Sequence, residues 1–228
     1  MEIAQRLVHL FLQAVDIVLH INVHLNDWIT HFGGWTYAIL FAILFAETGL
    51  IVMPFLPGDS LLFALGALSA GDDAFLRFSI LVPTLLVAVF LGDSVNYFVG
   101  RKVGLKLFQN PKSKIFRKEY LDRTEKFYAK HGGKMVILAR FAPILRTFSP
   151  FVAGMAKMNY SRFLAYSVGG SVTWVSIFLG AGYYFGNIPA VKRNFHIVIV
   201  AILVISALPA LIEAWKIRQE SRRLRAKT

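Results

Sequence analysis

With 228 residues, 56% of them hydrophobic and 14% aromatic, the chain has more apolar surface than one soluble domain of this size could enclose, so lipid is expected to form part of its solvent. It contains no cysteine, which excludes disulfides, thiolate zinc sites and iron–sulfur clusters. Its net charge of +12 would suit nucleic-acid binding in a soluble protein, but basic residues concentrate at 101–134 and 216–228 beside apolar stretches, which is typical of cytoplasmic loops that meet anionic lipid.

Hydrophobic periodicity predicts an all-α integral membrane protein, and the first half of the chain contains three elements. Residues 3–30 place apolar side chains opposite a polar face, which predicts an amphipathic helix at the membrane interface. Residues 35–70 are long enough to enter the membrane and turn back, but Pro54 and Pro57 interrupt them, so two short helical arms are expected. Residues 78–100 have the length and composition of a transmembrane span.

The second half repeats this order after a basic stretch. Residues 101–134 predict a cytoplasmic loop, and 135–156 form a second apolar run that prolines interrupt. Two predicted spans, 160–186 and 196–215, and the basic tail 216–228 follow. If the loop and the tail are both cytoplasmic, these two spans already carry the chain out and back. Residues 135–156 are therefore expected to enter and leave on one side, as a re-entrant hairpin.

An amphipathic helix, a broken hairpin and a span thus occur twice, with the second copy entering from the opposite face. This order predicts an inverted repeat of the kind found in many transporters, followed by a C-terminal transmembrane helix. The residues expected to shape the two broken hairpins are Pro54, Pro57, Gly58, Pro143 and Pro150.

Three acidic residues lie inside apolar runs, where a charge costs about 2.5–3.5 kcal/mol on insertion scales. Glu47 is interpreted either as a protonated or hydrogen-bonded packing group, or as a proton-carrying group in a cavity that water reaches. Asp59 follows Pro57 and Gly58, so we expect it to cap the helix that begins there, and that helix N-terminus could also bind an anionic group. Asp93 is interpreted either as a proton relay or as a packed polar contact.

Arg140 and Arg146 are the strongest indication of function, because arginine keeps its charge in essentially any site. They flank Pro143, so they could converge from the two limbs of a bent segment. Two guanidinium groups beside the Thr147 hydroxyl would form a phosphate receptor. The alternative is that both arginines pair with the two acids of the first hairpin as a structural network.

No motif for a catalytic nucleophile, a nucleotide phosphate or a dinucleotide is present, and the histidines lack the order of metal ligands. We therefore expect no enzyme activity, no metal and no cofactor. Gly180, Gly182 and Gly186 in the predicted span 160–186 indicate close helix packing rather than catalysis.

Several motifs in this order resemble the DedA family, also called SNARE-associated or VTT-domain membrane proteins. The resemblance covers nearly the whole chain and rests on Glu47-Thr48-Gly49-Leu50, Pro54 through Leu62, Gly92-Asp93 with Asn96-Tyr97, Gly100-Arg101, and Arg140 through Gly154. It implies two re-entrant helices that face each other across the bilayer and a structural role for Gly154. It also implies that the essential residues are Glu47, Asp59, Arg140 and Arg146.

The resemblance further implies a multi-pass protein of the bacterial inner membrane with a cytoplasmic C-terminus. Its implied roles are envelope integrity and tolerance of cationic peptides or alkali, with dependence on the proton motive force. Members of the family are proposed to translocate lipids, in particular undecaprenyl phosphate.

The leading hypothesis is a transporter of an anionic lipid, whose partners are a polyprenyl phosphate or a phospholipid, and protons. The alternatives are a proton-coupled exporter of small cations or drugs and a non-transporting membrane scaffold; homo-oligomer formation is left open, and no nucleic acid is expected. The predicted substrate-binding residues are Arg140, Arg146, Thr147 and Asp59. The predicted proton-coupling residues are Glu47, Asp59 and Asp93.

Overall fold

The computed structural model describes residues 31–50, 58–71, 74–104, 133–141, 143–206 and 208. Every regular element in these residues is helical, as the sequence predicts. After a short 3-10 turn at Gly33–Trp35, the helices are α1 Thr36–Gly49, α2 Gly58–Leu68, α3 Phe78–Val99, α4 Lys134–Ala139, α5 Pro143–Met155, α6 Tyr160–Phe185, α7 Pro189–Arg193 and α8 Phe195–Ser206.

Two of the described helices are long and apolar enough to cross a membrane. The first is α3 together with the π turn Gly100–Gly104 that continues it, which makes 27 residues in all. The second is α6, with 26 residues. At about 1.5 Å rise per residue, each exceeds the roughly 30 Å of a bilayer's hydrocarbon core. The first span was expected to end at residue 100, but the π turn extends the helical backbone to Gly104.

Each of the two proline-containing apolar segments holds two helices. In the first, α1 ends at Gly49 and α2 begins at Gly58; Pro54 and Pro57 lie outside the described residues. In the second, α4 ends at Ala139 and Arg140 caps it, while Pro143 is the first residue of α5. Proline suits that position because the first amide of a helix has no partner within the helix.

Pro150 differs from the other prolines, because it lies inside a continuous α5 rather than at a break. Its ring removes one backbone hydrogen bond, the one its amide would donate to the Arg146 carbonyl. The helix ends after Met155 in a Schellman motif. Lys157 adopts a φ of 54°, and the amides of Lys157 and Met158 donate to the carbonyls of Gly154 and Ala153.

Several predicted segments fall outside the described residues. These are the amphipathic helix at 3–30, residues 105–132 of the basic loop and the tail 216–228. The predicted span at 196–215 is described as far as α8, with residue 208 also helical.

The chain divides into two compact units, and α1, α3, α6 and α8 contribute residues to both. The described residues of the first unit lie within 31–43, 58–87 and 175–203. In it α2 packs closely on the second half of α6: a Cβ atom at Gly182 would overlap the Phe63 carbonyl. The Asn187 side chain, just after α6, donates to the carbonyls of Ala67 (3.0 Å) and Ala70 (2.9 Å) and so closes the C-terminal end of α2.

The described residues of the second unit lie within 44–50, 88–174 and 204–208. Its buried core includes Tyr97 on α3 and Phe163 on α6, whose rings stack with centroids 4.6 Å apart. Gly154 brings α5 against α3, because a Cβ atom there would overlap the Tyr97 carbonyl. Asn159 begins α6 by accepting hydrogen bonds from the amides of Ser161 and Arg162, at 3.0 and 3.3 Å.

Candidate functional site

Asp93 and Arg140 form an ion pair inside the second unit. Asp93 lies near the middle of the long helical stretch Phe78–Gly104, and it is 1% exposed, against 3% for Arg140. Arg140 stands where α4 ends, and its Nη2 donates to Asp93 Oδ2. The Ser167 hydroxyl on α6 donates to the same carboxylate oxygen. A hydroxyl and a guanidinium from two other helices thus hold one carboxylate of α3.

A second ion pair joins Glu47 to Arg146 in the same unit. Arg146 lies in the first half of α5, and its Nη2 donates to Glu47 Oε1 near the end of α1. Both residues are buried, with 1% and 5% exposure. The guanidinium carbon of Arg146 lies 4.6 Å from the ring centroid of Trp174, so the aromatic face supports the cation from another side.

Asn96 connects the backbone on both sides of the second pair. Its side chain is fully buried, and Nδ2 donates to the Thr48 carbonyl at 3.0 Å and to the Thr147 carbonyl at 2.7 Å. These carbonyls belong to the residues that directly follow Glu47 and Arg146. Asn96 also lies on α3, one turn after Asp93, so one face of α3 serves both ion pairs.

The charges of the four residues balance, two carboxylates against two guanidinium groups. Such pairs are costly to leave incomplete, because removing one partner leaves the other as an uncompensated buried charge. Arg140 Nε and Nη1 and Asp93 Oδ1 are buried and have no hydrogen-bond partner among the described residues. Gly170 makes room on this side, since a Cβ atom there would lie 3.3 Å from Arg140 Nε. The described part of the chain contains no group of three His, Asp or Glu side chains able to hold a metal ion.

The structure therefore places Glu47, Asp93, Arg140 and Arg146 in one unit, and Thr147 beside them is also buried. Arg146 pairs with Glu47, and Arg140 pairs with Asp93. That both guanidinium groups bind one phosphate stays a prediction.

Asp59 belongs to the first unit, where it is buried in the first turn of α2. The helix begins at Gly58, so Asp59 lies inside its first turn rather than at the cap that the sequence predicted. An acid in a first turn still interacts favourably with the positive end of the helix dipole.

Three residues of the second unit were not predicted as part of the site. Ser167 binds the Asp93 carboxylate, Trp174 supports Arg146, and Asn96 links the two backbones. Asn96 carries the clearest sequence signal, since an amide inside an apolar span needs a partner. Serine and tryptophan occur in membrane helices for many reasons, so their positions alone point to no site.

Comparison with known proteins identifies the family. Residues 56–184 match the profile of the VTT domain. The chain is 56% identical over 199 residues to the protein DedA of Escherichia coli K12, an alignment that covers 87% of this chain and 91% of that protein. It is 40% identical over 191 residues to the uncharacterized membrane protein Rv0364 of Mycobacterium tuberculosis H37Rv, covering 84% of each.

A third relative is the inner membrane protein YqjA of Escherichia coli K12, which is 33% identical over 197 residues, with 83% of this chain and 88% of that protein covered. No solved structure matches the chain at a significant level. The two long apolar helices and these matches lead to one identification: the chain is a membrane protein of the DedA family, which carries the VTT domain.

Proposed function

We propose that this protein transports an anionic lipid, with undecaprenyl phosphate as the leading substrate, across the bacterial inner membrane. The observation that carries the proposal is the presence of two buried arginine–carboxylate pairs, with Asp93 near the middle of a helix long enough to cross a membrane. Charged residues at membrane depth are rare and commonly mark substrate or proton pathways. In this proposal the protein acts as a transporter and not as an enzyme.

In the proposed mechanism a phosphate group replaces a carboxylate as the partner of a guanidinium. Guanidinium groups bind phosphate and carboxylate with similar forked geometry, so the two anions compete for the same donors. Arg140 is the better entry point, because Nε and Nη1 have no partner among the described residues. The displaced Asp93 or Glu47 then takes up a proton, which couples transport to the proton motive force. The lipid tail stays in the bilayer throughout.

We also propose that residues 135–156 form a re-entrant hairpin. In support, Gly133, just before α4, packs against Tyr166 near the start of α6, and Met155 at the end of α5 packs against Gly104, the last residue of the π turn after α3. Tyr97 near the end of α3 stacks on Phe163 near the start of α6, so these two helix ends lie together. The first limb of the hairpin therefore begins, and the second limb ends, beside this same pair of helix ends. The break at Arg140 then lies at membrane depth.

Similar contacts within the first unit support a re-entrant hairpin at residues 35–70. Tyr37, near the start of α1, accepts a hydrogen bond at 2.8 Å from the amide of Arg77, just before α3. Asn187, just after α6, closes the end of α2. Phe78 and Tyr183 join the start of α3 to the end of α6, with ring centroids 4.7 Å apart. In our proposal the two hairpins form an inverted repeat, α8 belongs to the C-terminal span, and the basic segments at 101–134 and 216–228 are cytoplasmic.

The test is lipid movement in liposomes that contain the purified protein and fluorescently labelled undecaprenyl phosphate or a labelled phospholipid. We expect labelled lipid to cross faster than in protein-free vesicles. Replacing Arg140 or Arg146 by Ala should slow crossing by more than about tenfold, since a hydrogen bond to a charged group contributes about 1.5–3 kcal/mol.

The matched control is Arg162→Ala, which removes an exposed arginine at the start of α6. This variant should transport lipid at the wild-type rate. If the wild-type protein moves neither lipid faster than the Arg146→Ala variant does, the proposed function is wrong. Substrate-induced proton flux without lipid movement would instead indicate an exporter of small cations.

A further inference from the structure

We propose that Asn96 is the positioning residue that holds Glu47 opposite Arg146. The inference rests on the proposed function only in treating this ion pair as part of the transport site. The hydrogen bonds of Asn96 go to backbone carbonyl groups rather than to the charged side chains. Asn96 therefore acts on Glu47 and Arg146 through the backbone beside them.

The geometry gives Asn96 two fixed points. Its amide nitrogen donates to the carbonyl of Thr48, at 3.0 Å, and to the carbonyl of Thr147, at 2.7 Å. A side-chain amide has two N–H donors, so both are used. Because each carbonyl is one residue beyond a charged residue, Asn96 fixes the turn that carries Glu47 to the turn that carries Arg146.

Two glycines on the same side as Asn96 make further close contacts with α1 and α5. One turn before Asn96, Gly92 lies so close to α1 that a Cβ atom there would overlap the Thr48 hydroxyl. One turn after Asn96, Gly100 contacts the Phe151 carbonyl of α5 in the same way. The glycines set how near the helices approach α3. Asn96 adds the directional bonds that set their position along and around it.

The two carbonyl groups that accept hydrogen bonds from Asn96 lie at different places in their helices. Thr48 lies in the last turn of α1, where carbonyl groups have no amide of their own helix to accept from, so Asn96 supplies a missing donor. Thr147 lies inside α5, where the bond from Asn96 uses the second lone pair of a helical carbonyl. A side chain that cannot donate would leave the Thr48 carbonyl buried without this partner and would untie α5 from α1.

The first test compares Asn96→Gln, Asn96→Asp and Asn96→Leu in the liposome assay. Gln keeps both donors on a longer side chain, whereas Asp keeps the shape and offers one donor at most. If hydrogen-bond donation positions the pair, Gln retains transport within about threefold of wild type, while Asp and Leu lose about tenfold or more. If Asn96 only fills space, Asp performs at least as well as Gln, and that order would overturn the proposal.

The second test does not depend on transport. The chain has no cysteine, so a Thr48→Cys, Thr147→Cys variant reports the distance between α1 and α5 through the yield of a short bifunctional thiol reagent. We expect Asn96→Leu in this background to lower the yield more than about threefold. Val95→Ala, which alters an exposed neighbour on α3, should leave the yield unchanged.

The two tests separate the two ideas. Cross-linking that depends on Asn96 in a protein that moves no lipid would leave the positioning role intact and overturn the proposed function. Cross-linking that is indifferent to Asn96 would overturn the positioning role, whatever the transport rate. Membrane yield and thermal unfolding of each variant show that the comparison is made on folded protein.

Discussion

Asp93 Oδ2 accepts from both Arg140 and Ser167, so a neutral hydroxyl takes part in holding a buried ion pair. This arrangement matters because each added donor stabilises a buried carboxyl group that solvent does not reach. Ser167 is the smallest member of the group, and its removal tests the network without creating an unpaired charge.

Ser167→Ala should lower the free energy of unfolding by about 1.5–3 kcal/mol, the usual contribution of a hydrogen bond to a charged group. It should also slow lipid transport, because Arg140 and Asp93 lose their orientation. The measurement is thermal unfolding of the detergent-solubilised protein together with the liposome assay. Ser171→Ala is the control, since that hydroxyl donates to the Ser167 carbonyl of its own helix, at 2.7 Å. Equal effects of the two substitutions would contradict the prediction.

Sequence alone was sufficient to single out the four charged residues that form the two buried ion pairs. Glu47, Asp93, Arg140 and Arg146 interrupt apolar runs, and burying them requires compensation. Their pairing was not predictable, because it depends on how α4 and α5 lie against α1 and α3, which hydropathy does not encode. From the sequence we expected both arginines to bind one phosphate or to pair with the acids of the first hairpin. In the structure Arg140 instead pairs with Asp93 on α3.

Several helix contacts in this protein are close because one helix has glycine at the contact. In α6 only some of the glycines are needed for this reason. Gly182 faces α2 so closely that a Cβ atom would overlap the Phe63 carbonyl, whereas a Cβ atom at Gly180 meets nothing within 4 Å. Small residues at helix contacts allow backbones to approach in membranes, where packing rather than hydrophobic exclusion drives association.

Gly182→Ala should destabilise the protein by about 1–3 kcal/mol, because the added methyl group forces α2 and α6 apart. Gly180→Ala on the same helix should change the free energy of unfolding by less than about 1 kcal/mol, and in the stabilising direction, since alanine favours the helix. Unfolding by heat or denaturant compares the two. Similar losses in both variants would mean that helix propensity, and not the contact with α2, governs this region.

At the level of elements, the two prolines of the second apolar segment occupy different positions. Pro143 begins a helix, as expected of a proline at a break, whereas Pro150 is accommodated inside α5. The difference follows from position: a first residue needs no amide donor, while an internal proline removes one bond that packed neighbours can compensate. Likewise Gly100 and Gly104, in the π turn beyond α3, pack on α5, a contact that span-length arguments do not contain.

At the scale of the whole molecule, the proposed topology places the two ends of α6 on opposite sides of the membrane. Ser161 lies at its beginning, and Ala190 lies on the short helix α7 that follows it; both are exposed. The chain has no cysteine, so a single introduced thiol reports its own side. The inverted repeat itself remains a prediction from the order of the elements.

A membrane-impermeant thiol reagent should label Ala190→Cys in intact spheroplasts and Ser161→Cys only after permeabilisation. The reason is that basic segments are retained in the cytoplasm, and the segment 101–134 precedes the hairpin that leads to Ser161. Mass spectrometry or gel shift measures the labelling. Labelling of both positions from one side would contradict a membrane-spanning α6.

The division of charge among the helices also bears on how the protein is made. Ribosomes synthesise the chain from its N-terminus, so Glu47 and Asp93 are made before Arg140 and Arg146. A carboxyl group that lacks a partner can be neutralised by a proton, whereas a guanidinium group cannot lose its charge. The acidic residues, which a proton can neutralise, are therefore synthesised before the arginines that pair with them. If the acids and the arginines exchanged positions, both ion pairs would be kept. The two arginines would then be synthesised before the carboxyl groups that pair with them, and they could not be neutralised in the meantime.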